Sequence, residues 1–214
     1  MKIEIREYQK TDFKALESII KETWNYDKFC SPKTALKLAK VFLSSCLTNY
    51  TFSRVAVFDG NVVGIILAND IKNHNCSFSD RWLQVKSILS LYCSKEGRKV
   101  SDIFKNVSGI DKQLLQENKK VYPAELALFA VSSSCRGKGI GKILFQSALD
   151  YMKQANLKEF YLFTDTSCNF GFYEHQGMTR RIEKEHIFHI EGQKAVMKFF
   201  IYDYQLDKNT CAAE

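Results

Sequence analysis

The segment from Ala124 to Phe145, AELALFAVSSSCRGKGIGKILF, constrains this chain more than any other. Its first eight residues are almost wholly apolar and lie between Pro123 and a Ser cluster. Three of the chain's ten glycines then fall within five positions, and apolar residues four apart follow. The first part predicts a strand covered on both faces, because a half-exposed strand alternates apolar and polar residues. Ile140, Leu144, Ala148 and Met152 predict one face of a helix running to about Ala155. A buried strand feeding through glycines into a helix builds an anion site. Glycine admits unusual φ values and strips steric cover from the backbone, so successive N–H groups converge. The helix start adds unpaired donors and partial positive charge, and Arg136, Lys138 and Lys142 add full charges. The expected ligand is a phosphate or pyrophosphate.

The rest of the chain supplies the elements around this unit. KIEIREY alternates and predicts a first strand. Thr11 is the expected N-cap of a helix carrying Phe13, Leu16, Ile19, Ile20 and Trp24. Ser31-Pro32 announces a second helix, with Leu38, Phe42, Cys46 and Leu47 as its buried stripe. Asp59-Gly60-Asn61 splits two β-rich runs into a hairpin. Residues 72–120 are expected to form a helical insertion: one helix over DRWLQVKSILSLYC and two shorter ones at VSDIFKNV and DKQLLQENKK. EFYLFT predicts another buried strand, and NFGFYEHQGM a short helix with Gly177 as its C-cap. RIEKEHIFHI and AVMKFFIYDY flank Glu191-Gly192-Gln193 as a terminal hairpin. Hairpins at both ends and one β-α-β crossover imply a mixed α/β fold with helices on both faces of the sheet. No repeat or low-complexity linker divides residues 1–214, so a single domain is expected.

Composition narrows the function classes. A net charge of +7 permits nucleic acid, acidic lipid or a polyanionic cofactor as partner, but Lys and Arg are scattered without a dense tract. Nucleic acid is therefore not expected as a partner. Seven cysteines without a CxxC spacing suggest free thiols in a reducing cytoplasm. MKIEIREYQK lacks the apolar core of a signal peptide, and runs such as VVGIILA are too short to span a bilayer, so no membrane association is expected. The final CAAE is expected to be a frayed end rather than a prenylation box. His74-x-Cys76 and His186-x-x-His189 lack companions to fill a coordination shell, so no metal is expected.

Three nucleotide-type loops compete for Gly137-Lys138-Gly139-Ile140-Gly141-Lys142. A Walker A loop needs four residues between Gly and Gly-Lys and then Ser or Thr, but Ile143 follows Lys142 here. A dinucleotide fingerprint needs a third glycine that is missing. The remaining pattern, Arg-x-x-Gly-x-Gly at Arg136, Gly139 and Gly141, resembles the pyrophosphate loop of the GNAT superfamily of acetyl-CoA-dependent N-acetyltransferases. NFGFYEHQGM resembles that family's Asn/Tyr/Gly segment, with a compact Asn-to-Tyr spacing. The likeness is strongest over Ala124–Thr179, and the insertion departs from it.

The resemblance implies a GNAT-like central sheet, mixed and mostly antiparallel, with the insertion before its fourth strand. It implies acetyl-CoA as cosubstrate, a primary amine of a small molecule, peptide or protein as acceptor, and a bacterial-type enzyme in which homodimers are common. Arg136, Gly137, Lys138, Gly139, Ile140, Gly141 and Lys142 would bind the pyrophosphate. Phe129, Ala130 and Val131 would follow the pantetheine arm, with the Val131 N–H facing the thioester carbonyl. Tyr173 would protonate the leaving sulphur, or else serve as a core aromatic. Asn169 would hydrogen-bond the pantetheine arm or cap the short helix. Glu125 is the candidate base, with a solvated strand-end glutamate as its alternative. His175 and Cys168 are expected to be structural. Trp24, Tyr26, Asp27 and Phe29 are pocket candidates or a packed aromatic cluster, and the insertion is placed to cover the acceptor entrance. A non-catalytic acyl-CoA-binding module of the same fold is the alternative function.

Overall fold

Asp59 and Gly60 both take positive φ, 46° and 80°, which is the turn geometry that matches the right-handed twist of a tight hairpin. They join β2 (Phe52–Phe58) to β3 (Asn61–Asp70) in the register Phe58↔Asn61. The computed structural model describes residues 3–74, 76–190 and 193–206. Its strands form a seven-stranded sheet that also contains β1 (Ile3–Arg6), β4 (Ala124–Val131), β5 (Glu159–Asp165), β6 (Thr179–Ile190) and β7 (Gln193–Gln205). The strand order is β1-β2-β3-β4-β5-β7-β6, and every pairing is antiparallel except β4 with β5. This is the mixed, mostly antiparallel GNAT-like sheet that the resemblance implies.

Helices cover both faces. On one, α5 (Ile140–Gln154) inserts Ile140, Leu144, Phe145, Ala148 and Met152 against Ala124, Leu126, Phe160 and Leu162. On the other, α1 (Phe13–Thr23) and α2 (Pro32–Cys46) pack Leu16, Ile20, Leu38 and Leu43 against Val55, Ile65, Leu67, Leu128 and Ala130. A bulge at Ala127, between the pairs Leu67↔Leu128 and Ala68↔Leu126, switches which alternate residues of β4 face each layer. That is why Leu126 and Leu128 lie in different cores.

Two local expectations are corrected. Thr11 does not cap α1. Lys10–Asp12 form a 3-10 turn running into the helix, and Asp12 is the stronger local acceptor. Its carboxylate takes the Gln9 N–H at 2.8 Å and both Arg6 guanidinium nitrogens at 2.7 Å. Between β3 and β4 stand two helices rather than three: α3 (Phe78–Tyr92) and α4 (Lys95–Asn118). VSDIFKNV and DKQLLQENKK fuse, because Val107, Ile110, Leu114 and Leu115 keep one apolar face on Phe188, Phe199 and Ile201 across Ser108-Gly109. A mid-helix glycine costs about 1 kcal/mol against alanine, less than that face contributes by burial. The start of α4 is tied to α2 by Glu96, whose carboxylate accepts from the Ser31 N–H at 2.7 Å and from the Ser31 and Thr34 hydroxyls. A carboxylate there also suits the positive end of α2.

The last described helix, α6 (Gly171–His175), ends as expected, with Gly177 at φ 81° donating its N–H to Glu174 O at 3.0 Å. No described helix is long and apolar enough to cross a membrane. The tip residues Glu191 and Gly192, the His189 side chain, Cys211 and the CAAE tail lie outside what the structure describes.

Candidate active site

Strands β4 and β5 are paired only at Ala124↔Phe160 and Glu125↔Tyr161. Beyond that point they part, and a cleft of about 1140 Å³ opens between Leu126–Val131 and Leu162–Asp165. The antiparallel ladder with β3 decides what β4 offers to it. Ser132 donates its N–H to Val63 O at 2.8 Å, and Gly64↔Val131 and Ile66↔Phe129 are register pairs. Alternation then commits the Ala130 N–H to β3 and turns the Phe129 and Val131 N–H groups toward the gap.

At one end the cleft meets the glycine loop. Gly137 and Gly139 hold φ of 77° and 78°, and a Cβ at either would meet nothing within 4 Å. The requirement for glycine is therefore backbone conformation, not crowding. With the chain so bent, no acceptor among the described residues pairs with the backbone N–H groups of residues 137–142. Six successive donors at the start of α5 are thus left for an anion. Arg136, Gly137, Gly139, Gly141 and Lys142 line this end. Lys138 does not, since its Nζ stands 4.4 Å from the centre of the Phe58 ring. The Ile140 side chain is buried in the α5 core.

The middle is aromatic. Tyr173 packs edge to face on Phe129 and Phe172 and lies 6.0 Å from the Tyr202 ring. Burial raises the affinity of its phenol for the proton, so it stays neutral and able to donate. Asn169 is exposed on the cleft wall, and it does not cap α6, whose first turn begins at Phe170 with no side-chain cap. Cys168 also lines the wall. Burial and Asp165 push its thiol up to about 11, which disfavours a thiolate. His175 is exposed and engages Gly171 O through Nδ1. Of the four aromatic-loop candidates only Trp24 lines the cleft, beside Phe42 at 5.0 Å. Tyr26 and Phe29 pack in the core, and Asp27 pairs with Lys21 at 2.7 Å.

The far end is acidic. Glu125 lies on the α1/α2 face of β4, and burial raises its proton affinity against a hydrogen bond with the Tyr161 hydroxyl. Helix α4 closes this end with Val107, Ser108, Asp111 and Lys112, so the insertion does form part of the wall. Asp111 is pushed up to about 7, chiefly by burial and then by Asp165 and Glu125. Asp165 ends β5 four residues beyond the Glu125↔Tyr161 pair, so it lines the cleft toward the loop, and its Oδ1 accepts the Ser167 N–H at 2.7 Å. Sequence reasoning missed both aspartates. The signal for Asp111 is a lone acid on the apolar face it shares with Val107, Ile110 and Leu114. Asp165 is merely the last residue of an apolar strand.

Comparison with known proteins points one way. Residues 109–178 match the profile of the Acetyltransferase (GNAT) family. An N-acetyltransferase from Staphylococcus aureus Mu50 superposes with a TM-score of 0.55 at 14% identity, covering 96% of this chain and 99% of its own. The ribosomal-protein-S18-alanine N-acetyltransferase from Escherichia coli gives 0.54 at 11% identity, over 96% of this chain and 94% of its own. A protein from Salmonella typhimurium, solved with its cofactor acetyl-CoA, gives 0.54 at 13%, over 97% and 95%. No curated protein matches the chain by sequence.

Proposed function

We propose that the chain is a GNAT N-acetyltransferase using acetyl-CoA and a primary amine, a reading supported by the match of residues 109–178 to the family profile and by the shared fold. The six unpaired N–H groups of residues 137–142 carry this reading, since a row of backbone donors at a helix start fits a diphosphate. Arg136 and Lys142 add charge on the same wall, while Lys138 contributes only its N–H. The Phe129 and Val131 N–H groups border the gap where an extended arm would lie, and the Val131 N–H is assigned to the acetyl carbonyl.

Acetyl-CoA brings an activated acetyl group: a carbon–sulphur bond breaks, a carbon–nitrogen bond forms, the amine loses a proton and the sulphur gains one. Tyr173 is assigned to the sulphur. Its neutral phenol donates a hydrogen bond as negative charge develops there, and an apolar setting that raises the phenol's proton affinity raises a thiolate's as well. Glu125 is assigned to the amine. A carboxyl with elevated proton affinity is a better base than a solvated one, directly or through water.

Release of free thiol from acetyl-CoA, followed across monoamines, diamines, amino acids and peptides, tests the proposal. Amine-dependent release is expected. Acetyl-CoA binding without release across the panel would favour the non-catalytic module instead.

A further inference from the structure

We propose that the outer face of α3 is a self-association surface, through which two copies of this chain pair with their α3 helices crossing antiparallel. The inference stands apart from the acetyltransferase reading and does not depend on it.

Ten large apolar side chains are exposed among the described residues, and four of them, Phe78, Trp82, Val85 and Leu89, belong to α3. Intervals of four, three and four residues place them on one stripe about 16 Å long, since a helix rises about 1.5 Å per residue. The opposite face of α3 is the buried one and carries Ser87 and Leu91. It is tied to α2 on both sides: Gln84 Nε2 donates to Ser45 Oγ at 3.2 Å, and Lys37 Nζ donates to Ser90 O at 2.8 Å. The helix is thus pinned with its apolar stripe turned outward. Single exposed apolar residues need no explanation, but a contiguous line of them does.

The size of the stripe fits a second copy. Phe78 is 86% exposed, Trp82 50%, Val85 38% and Leu89 59%. With about 150–250 Å² on each aromatic side chain, the four together expose about 450 Å² of apolar surface. Two copies would cover about 900 Å², and flanking side chains bring the total to about the 1,000 Å² that a specific association needs. An interface of that size makes a concentration-dependent dimer.

The order of the side chains fits it as well. Intervals of four, three and four read the same in both directions, and a two-fold interface requires such self-complementarity. Crossed antiparallel, Phe78 meets the partner's Leu89 and Trp82 meets the partner's Val85. A ring therefore faces a smaller branched chain at every contact, which lets the two rows interdigitate. Parallel pairing would instead set Trp82 on Trp82 of the partner subunit. Arg81 and Lys86 stand on opposite flanks of the stripe, and neither crosses it. Arg81 donates to Gln84 Oε1 at 3.0 Å, and Lys86 Nζ lies 5.2 Å from the centre of the Trp82 ring. Anionic lipid suits the stripe less well. Helix α3 carries Arg81 and Lys86 against Asp80, a net charge of only +1, whereas helices that lie on such membranes are rich in Lys and Arg.

Sedimentation velocity of the full chain from about 1 to about 100 µM tests the surface. A monomer at the low end and a dimer at the high end are expected. Phe78→Lys and Leu89→Glu should each weaken pairing at least about tenfold, because each sets a charge against an apolar side chain of the partner. Mixed in equal amounts, the two variants should pair to within about threefold of wild type, because the antiparallel crossing brings the introduced opposite charges together. Both positions are exposed and outside the cleft, so circular dichroism of each variant should match wild type. Where it does not, the wild-type series and Trp82→Ala, with the same loss expected, decide. A monomer throughout the range, a dimer as tight in both variants as in wild type, or a mixture no tighter than its components would overturn the proposal. So would a monomer that floats with vesicles of equal phosphatidylserine and phosphatidylcholine and loses them in Trp82→Ala, which would give the stripe to lipid.

Discussion

The two ends of the cleft are built in opposite ways. At the glycine loop the functional groups are backbone N–H donors from six consecutive residues, exposed because Gly137 and Gly139 bend the chain into positive φ. At the acidic end they are the side chains of Asp111 and Glu125, carried by α4 and β4 and brought together only by the tertiary fold. A site of the first kind is encoded by local conformation and tolerates changes of side chain around it. A site of the second kind depends on how an insertion docks, and single substitutions can retune it. The contrast matches the chemistry proposed for each end: a common diphosphate at one, and at the other the acceptor that would distinguish this protein from others of its fold.

The largest break should come at the loop. Gly139→Val places a β-branched residue at φ 78°, a conformation costing about 1–2 kcal/mol or more, and distorts the donor row. Acetyl-CoA affinity measured by calorimetry should fall by about 100-fold, the equivalent of two charge-assisted hydrogen bonds. The pH dependence of stability contributed by Asp111 at the other end should keep its shape. A matching loss at both ends would mean that the loop supports the whole fold rather than one ligand.

Tyr173→Phe should lower kcat by about 10- to 100-fold in stopped-flow thiol release while leaving acetyl-CoA affinity within about twofold. Lost affinity with turnover intact would reassign Tyr173 to the core.

Asp111→Asn should act on stability in a pH-dependent way. The folded protein holds this proton up to about pH 7, whereas the unfolded chain releases it near 3.8. The folded state thus binds more protons between these values, and stability contributed by Asp111 falls as pH rises through that window. By differential scanning calorimetry the variant should gain about 2–6 °C near pH 8, corresponding to about 1–2 kcal/mol, and almost nothing near pH 4. An equal gain at both pH values would place Asp111 outside the acidic cluster.

The smallest effect should sit at the root of the insertion. The hydroxyls and N–H at the start of α2 hold the Glu96 carboxyl down to about 2, against 4.5 unperturbed. Its contribution is present above about pH 4.5 and is lost as pH falls toward 2. Glu96→Gln should therefore flatten the drop in Tm between about pH 5 and pH 3. An unchanged acid limb would show that this anchor does not hold α4 in place.

These contrasts also explain how far the chain could be read from its residues. The Asp59-Gly60 turn, the apolar run of β4 and the four-residue spacing in α5 each have a local cause, and a mixed sheet with one β-α-β crossover followed from them. The glycine loop was recognisable because positive φ leaves a compositional trace. Fusion of the two expected helices into α4 had no such trace, since Ser108-Gly109 reads as a break until Phe188, Phe199 and Ile201 supply a continuous surface. Thr11 looked like a cap because Arg6, which orients Asp12, lies outside the helix pattern. Lys138 belonged to the motif by spacing, but β2 offered it a ring instead. Asp111 and Asp165 lie 54 positions apart in the numbering and meet only through packing.

Product identification brings both ends of the cleft into one measurement: the protein is incubated with acetyl-CoA and a panel of monoamines, diamines, amino acids and peptides, and the products are resolved by mass spectrometry. An N-acetylated amine should accumulate with one equivalent of free CoA for each acetyl group transferred. Unmodified amines with intact acetyl-CoA across the panel would contradict it.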